Sequence, residues 1–211
     1  MNNLNIKSNY YRKLIEFVVP EIKNIKNLDI LEFGVRKGIS TSIFLDICKK
    51  NNGRLYSNDV DDYKSLYKDE IWKFIHCRDD NYSEIEKYIP EKLDLIYLDS
   101  YHEPNHVEKI FRYYYPKIKN GGFYVIDDIC WLPYVKGNYR DNFGCEIANL
   151  ETYKRLLEIY YKNNENFDLE FSFVGSGLAK IKKKTDNELN NSVKIPSRYY
   201  SFKNMIKKII K

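Results

Sequence analysis

Three acids and a histidine stand at spacings that suit chemistry. Asp99 and His102 belong to the run Asp99-Ser100-Tyr101-His102, and the pair Asp127-Asp128 follows further along the chain. Each run closes a short apolar stretch, LDLIYLD (93–99) and GGFYVIDD (121–128), that reads as a strand. The first is apolar on both faces, as parallel strands are. In open parallel sheets, ligands bind beyond the carboxyl ends of the strands. The carboxylates therefore converge on one rim. Packed together they repel one another unless a cation or a proton lies between them. Hard oxygen donors suit Mg2+, Ca2+ or Mn2+, so Asp99, Asp127 and Asp128 are expected to hold a divalent metal. His102, three residues past Asp99, faces the same cavity and is the expected general base near neutral pH.

A second group belongs to the same rim. Glu32-Phe33-Gly34-Val35-Arg36-Lys37-Gly38 follows the first strand run directly. Glycine lets the chain turn sharply and lets a ligand approach the backbone, and the helix that follows favours anionic or hydrogen-bonding ligand groups at its N-terminus. The dinucleotide fingerprint G-x-G-x-x-G is missing, because Arg36 takes its middle glycine position. Asp59, closing the second strand run, is placed to accept both hydroxyls of a ribose, with Asp61 and Asp62 as close competitors.

The elements that must position these residues alternate. Strands are expected at 28–34, 54–60, 72–77, 93–99 and 121–128, and helices at 40–50, 81–89, 103–118 and 151–163. That alternation means βαβ units and a parallel sheet. The runs 169–175 and 177–184 flank Ser176 and predict a hairpin that adds antiparallel pairing at one edge. The expected domain covers residues 1–184, with an N-terminal helical segment at 1–27 and an irregular, aromatic-rich insertion on the acceptor side at 129–150. Residues 185–197 read as a polar linker, within a basic tail at 185–211 that ends in a short amphipathic helix. His76 is expected in the core and His106 on a helix surface.

Composition narrows the class. A chain of 211 residues, 43% hydrophobic and 31% charged, is a folded globular protein and not a disordered one. The four cysteines form no CxxC, which argues against a zinc site or a disulfide framework. With no signal-peptide pattern and no apolar run of ~20 residues, a cytoplasmic location is expected. The net charge of +5 invites a polyanion reading, but it is concentrated: residues 180–211 hold nine Lys and Arg198 against Asp186 and Glu188, a net of +8. Residues 1–179 hold 25 basic and 28 acidic residues, a net of −3. The tail is suited to an anionic surface or a partner.

The stretches ILEFGVRKGISTSIFL, YSNDVD, LDLIYLDSYHEPNHV and NGGFYVIDD, in this order, resemble a class I S-adenosylmethionine-dependent methyltransferase. The likeness covers residues 28–184. It implies a Rossmann-like α/β fold: a seven-stranded, mostly parallel sheet with a C-terminal antiparallel hairpin and helices on both faces. The D-x-x-H after strand four with the D-D after strand five resembles the macrocin-type, metal-dependent sugar O-methyltransferases. By that resemblance Glu32, Gly34, Gly38, Ser40 and Thr41 shape the pocket for the cofactor's amino-acid end. Asp59 holds the ribose, Asp79 sits beside the adenine, and Asp99 borders both cofactor and acceptor. Asp99, Asp127 and Asp128 hold the metal, Mg2+ by that likeness, and His102 deprotonates the acceptor.

The expected activity is methyl transfer to a saccharide or glycan hydroxyl. The aromatics Trp131, Tyr134, Tyr139 and Phe143 offer surfaces for a sugar or planar acceptor, and Arg140 a partner for an anionic one. A small phenol or an amine is the alternative acceptor, and a non-catalytic binding module of the same fold the alternative class. No nucleic-acid partner is expected. The N-terminal segment is a candidate lid or dimer contact.

Overall fold

The computed structural model describes residues 8–196 and 201–210. Its elements follow the expected alternation: α1 (Asn9–Phe17), α2 (Val19–Ile22), β1 (Asp29–Phe33), α3 (Ile39–Asn51), β2 (Arg54–Asp59), β3 (Trp72–His76), α4 (Tyr82–Ile85) and β4 (Leu93–Leu98). The second half comprises α5 (Pro104–Tyr114), β5 (Ile118–Asp127), α6 (Phe143–Asn163), β6 (Phe167–Ser172), β7 (Leu178–Lys183) and α7 (Phe202–Ile209). The strands form one seven-stranded sheet in the order β3-β2-β1-β4-β5-β7-β6. The first five are parallel, while β7 runs antiparallel to both β5 and β6. The chain leaves the sheet at β3 and returns beside β1 as β4. That reversal of strand order opens a crevice between the carboxyl ends of β1 and β4, where such sheets bind ligands.

Helices cover both faces, which is why the central strands are apolar throughout. Alternate residues serve opposite layers. Leu31, Ile96 and Tyr124 pack with Ile110, Phe111 and Leu156 from α5 and α6. Ile30, Tyr97 and Val125 pack with Leu14, Ile22 and Phe44 from α1, α2 and α3. The N-terminal segment is thus part of the core through Leu14 and Ile22, both fully buried.

Several boundaries differ from the sequence reading, each for a local reason. β5 starts at Ile118, not 121, and its pairing with β4 shifts register between Leu93 and Leu95. Gly121 and Gly122 therefore sit inside a strand at an irregularity, where a Cβ on Gly122 would lie 3.0 Å from the Asp94 carbonyl oxygen. α6 begins at Phe143, because the Asn142 side chain accepts from Cys145 N at 3.0 Å and caps it. The insertion at 129–150 is accordingly a loop with a 3₁₀ turn (Leu132–Tyr134) and the first turns of α6. The helix expected at 81–89 shrinks to α4. His76, expected in the core, is exposed at the end of β3 and bonds the Val60 carbonyl at 2.9 Å.

The described part of the polar linker is tied to the domain. Asn190 N donates to Asn163 Oδ1 at 2.7 Å, and Arg112 donates to the Asn190 carbonyl at 3.0 Å. Residues 1–7, 197–200 and 211 of the expected terminal segments lie outside the described residues. Among the described residues no helix is long and apolar enough to cross a membrane.

Candidate functional site

The rim is built first by the loop after β1. Gly34 has φ +90°, and a Cβ there would fall 2.1 Å from the Asp99 carbonyl oxygen, so only glycine fits between β1 and β4. Arg36 also stands in the left-handed region, with φ 47°. The Asp59 carboxylate holds this turn: its Oδ2 accepts from Val35 N at 2.8 Å and Arg36 N at 3.2 Å. Gly38, at φ +70°, caps the N-terminus of α3. Ser40 and Thr41 lie buried in the first turn of that helix.

Beneath the turn, Glu32 is fully buried. Its Oε2 accepts from Thr41 Oγ1 at 2.9 Å and Ser57 Oγ at 2.6 Å, while Oε1 has no partner. Burial pushes its carboxyl up to about 7, against the opposing pull of the Ser40, Ser57 and Thr41 hydroxyls.

Two cavities meet over the crevice. One, of about 390 Å3, is lined by Gly34, Asp59, Asp79, Asp99 and Tyr101. Asp79 is nearly buried there and accepts from Ser100 Oγ and from His106 Nε2, the latter at 2.8 Å. His106 is thus not a helix-surface residue: its side chain is 9% exposed and turned to the rim. The sequence signal was its place in the first turn of α5, beside Pro104. The other cavity, of about 590 Å3, shares Gly34, Asp99 and Ser100 and adds Tyr10, His102, Asp128, Tyr134, Arg140 and Ser176.

His102 stands in this second cavity between two carboxylates. Its Nε2 lies 3.3 Å from Asp99 Oδ1 and 3.5 Å from Asp128 Oδ2. Burial alone lowers the imidazole, but hydrogen bonding to Asp99 and the charge of the surrounding carboxylates outweigh it and raise the group to about 9. Burial and the neighbouring Asp127 raise the Asp99 carboxyl above its ordinary range. Tyr10, from α1, donates to Asp99 Oδ2 at 2.6 Å.

Asp127 is turned away from these groups. It is 1% exposed. Its Oδ1 accepts from the Lys13 ammonium and from Asp128 N at 2.6 Å, and its Oδ2 from the Tyr97 hydroxyl at 2.5 Å. Asp99, Asp127 and Asp128 therefore do not assemble into the expected metal cage. The cation on Asp127 is the Lys13 ammonium, and among the described residues no group of three His, Cys, Asp or Glu is arranged to hold a metal ion. Lys13, Tyr10 and Tyr97 are the site residues that sequence reasoning missed. Tyr97 reads as one more apolar strand residue, and nothing near Lys13 in sequence marks it as buried.

Of the insertion's aromatics, only Tyr134 lines the cavity, with Arg140 beside it. Trp131 packs on Tyr153, ring centroids 5.2 Å apart. Tyr139 and Phe143 are exposed.

Residues 31–129 match a family model described as a methyltransferase domain. The MycE methyltransferase from the mycinamycin biosynthetic pathway, in complex with Mg and SAH, is 22% identical with a TM-score of 0.59. That match covers 87% of this chain and 52% of MycE, so the chain spans about half of that relative's length. The O-methyltransferase from Bacillus cereus in complex with SAH is 17% identical over 83% of this chain and 82% of that one, with a TM-score of 0.59. An SAH-bound methyltransferase of Podospora anserina is 16% identical over 74% and 72%, again at 0.59. No curated protein matches the chain. The likeness to methyltransferases holds in sequence over residues 31–129 and in fold over most of the chain.

Proposed function

We propose that the chain is an S-adenosylmethionine-dependent O-methyltransferase acting on a hydroxyl of a saccharide or glycan. The observation that carries this reading is His102, held between Asp99 and Asp128 in a cavity that adjoins a second one across Gly34 and Asp99. One cavity suits a cofactor and the other an acceptor.

The residues present fit the cofactor. The rim offers a cavity bordered by the Gly34 turn and Asp59, a left-handed glycine opening α3, and a buried Glu32 oxygen without a partner. Glu32, Gly34, Gly38, Ser40 and Thr41 would serve its amino-acid end, Asp59 its ribose, and Asp79 and Asp99 the flanks. When bound, S-adenosylmethionine supplies a methyl group already activated on sulfur, leaving the protein chiefly to align the nucleophile and take its proton.

His102 takes that proton. A hydroxyl is a poor nucleophile, and a positioned base is worth ~10²–10⁴-fold. Asp99 and Asp128 stabilise the imidazolium that forms, and Tyr10 fixes the far oxygen of Asp99 so that the near one faces the ring. Tyr134, Arg140 and Ser176 line the acceptor side with hydrogen-bonding groups, which favours a hydroxyl-rich molecule over an apolar one.

Incubation with methyl-labelled S-adenosylmethionine and a panel of saccharides, catechols and amines tests the reading. Label on saccharide oxygen, read by mass spectrometry, is expected. Label only on phenols or amines overturns the acceptor class.

A further inference from the structure

Lys13 has no solvent exposure, and its ammonium is bonded to Asp127 and, at 2.9 Å, to Ser176 Oγ. Asp127 has its remaining oxygen on Tyr97, whose hydroxyl lies 3.2 Å from that of Tyr10. Tyr10 in turn donates to Asp99, and Asp99 faces His102. Two bonded groups therefore meet at the tyrosine hydroxyls, Lys13–Asp127–Tyr97 on one side and Tyr10–Asp99 on the other, each hydroxyl giving its one proton to a carboxylate. A buried charge is tolerated only when paired and hydrogen-bonded, and here both members of the pair meet that condition. A divalent ion ligated by Asp127 would have to expel the ammonium and strand its charge in the core, or lift α1 off the sheet.

We propose that Lys13 is the resident cation of this rim: its ammonium neutralises Asp127 in the place of a divalent metal, and the site works without one. The proposal rests on reading the rim as the acceptor side of a methyltransferase. It makes Tyr10 a positioning residue, acting on His102 through Asp99, and Lys13 the group that neutralises the Asp127 carboxylate behind it.

The test is Mn2+ titration of the full chain, followed by the loss of the free-ion paramagnetic resonance signal, alongside calorimetric titration of SAH. The expected result is no stoichiometric Mn2+ binding up to about 1 mM and SAH affinity unchanged by chelator. Binding of one Mn2+ that Asp127→Asn abolishes overturns the proposal. Lys13→Ala vacates the cation's place, and this variant is expected to take up one Mn2+ at concentrations ~10-fold below the limit of about 1 mM at which the unsubstituted protein shows none; no Mn2+ uptake by a folded Lys13→Ala counts against the ammonium standing in the place of a metal. If Lys13→Ala does not fold, the unsubstituted protein decides the question alone. Absence of SAH binding strikes at the cofactor reading instead, so the two failures are separable.

Discussion

The hydroxyl of Tyr10 donates to Oδ2 of Asp99 at 2.6 Å, joining the first helix to the end of β4. Burial and the Asp99 charge raise the Tyr10 phenol well above its ordinary value, so it remains a donor. Tyr10→Phe deletes this bond and keeps the ring. Hydrogen bonds to charged groups contribute ~1.5–3 kcal/mol, and a loss of that order in urea denaturation is expected. SAH affinity should hold while turnover falls, because Asp99 is free to rotate away from His102.

Gly34 and Gly121 make a matched pair. Both have positive φ, but a Cβ at Gly34 meets the Asp99 carbonyl at 2.1 Å, whereas at Gly121 it meets nothing within 4 Å. Gly121→Ala should cost the left-handed penalty alone, ~1–2 kcal/mol. Gly34→Ala should cost more and abolish SAH binding. Thermal denaturation and calorimetry of the two variants check this; equal effects would mean that β1 and β4 do not approach as described.

Glu32 makes stability depend on pH. Its folded-state value of about 7 lies above the ordinary 4.5, so the folded form holds the proton more tightly. The associated stability is full below about 4.5 and is lost as pH rises through about 7, on the order of 3 kcal/mol over the window. Glu32→Gln removes the titration. The urea midpoint of the unsubstituted protein should fall from pH 5 to pH 8, while that of the variant stays comparatively flat.

His102, raised to about 9 by its carboxylate neighbours, is largely protonated at neutral pH. As a base it must begin each turnover neutral. On an accepted substrate, kcat/KM should climb ~10-fold per pH unit below about 9 and then level. His102→Ala should lower kcat ~10²–10⁴-fold, leave SAH affinity unchanged, and lose that pH limb. A variant that keeps the limb assigns it to another group.

The order of strands and helices was legible because hydrophobic period and turn residues are local signals. Gly34, Asp59, Asp99 and His102 could be placed on one rim because the carboxyl ends of parallel strands share an edge. The partner of Asp127 was not legible. Three acids in sequence pose a charge problem whose solution, a metal or an ammonium, depends on which distant side chain packs against them. Lys13 arrives from 114 residues away, and a lysine on an amphipathic helix reads by default as solvated. His106 was misread for the same reason: its partner Asp79 follows β3 and meets it only across the fold. The early start of α6 was missed because its cap, Asn142, lies in a stretch whose glycines and aromatics read as loop.

Calorimetric titration of the full chain with S-adenosylmethionine, SAH and NAD tests the central claim most directly. The account predicts that S-adenosylmethionine and SAH each bind at one site with micromolar Kd, that Asp59→Ala weakens both by ~10-fold or more, and that NAD does not bind. Binding of NAD with no binding of the other two would contradict it.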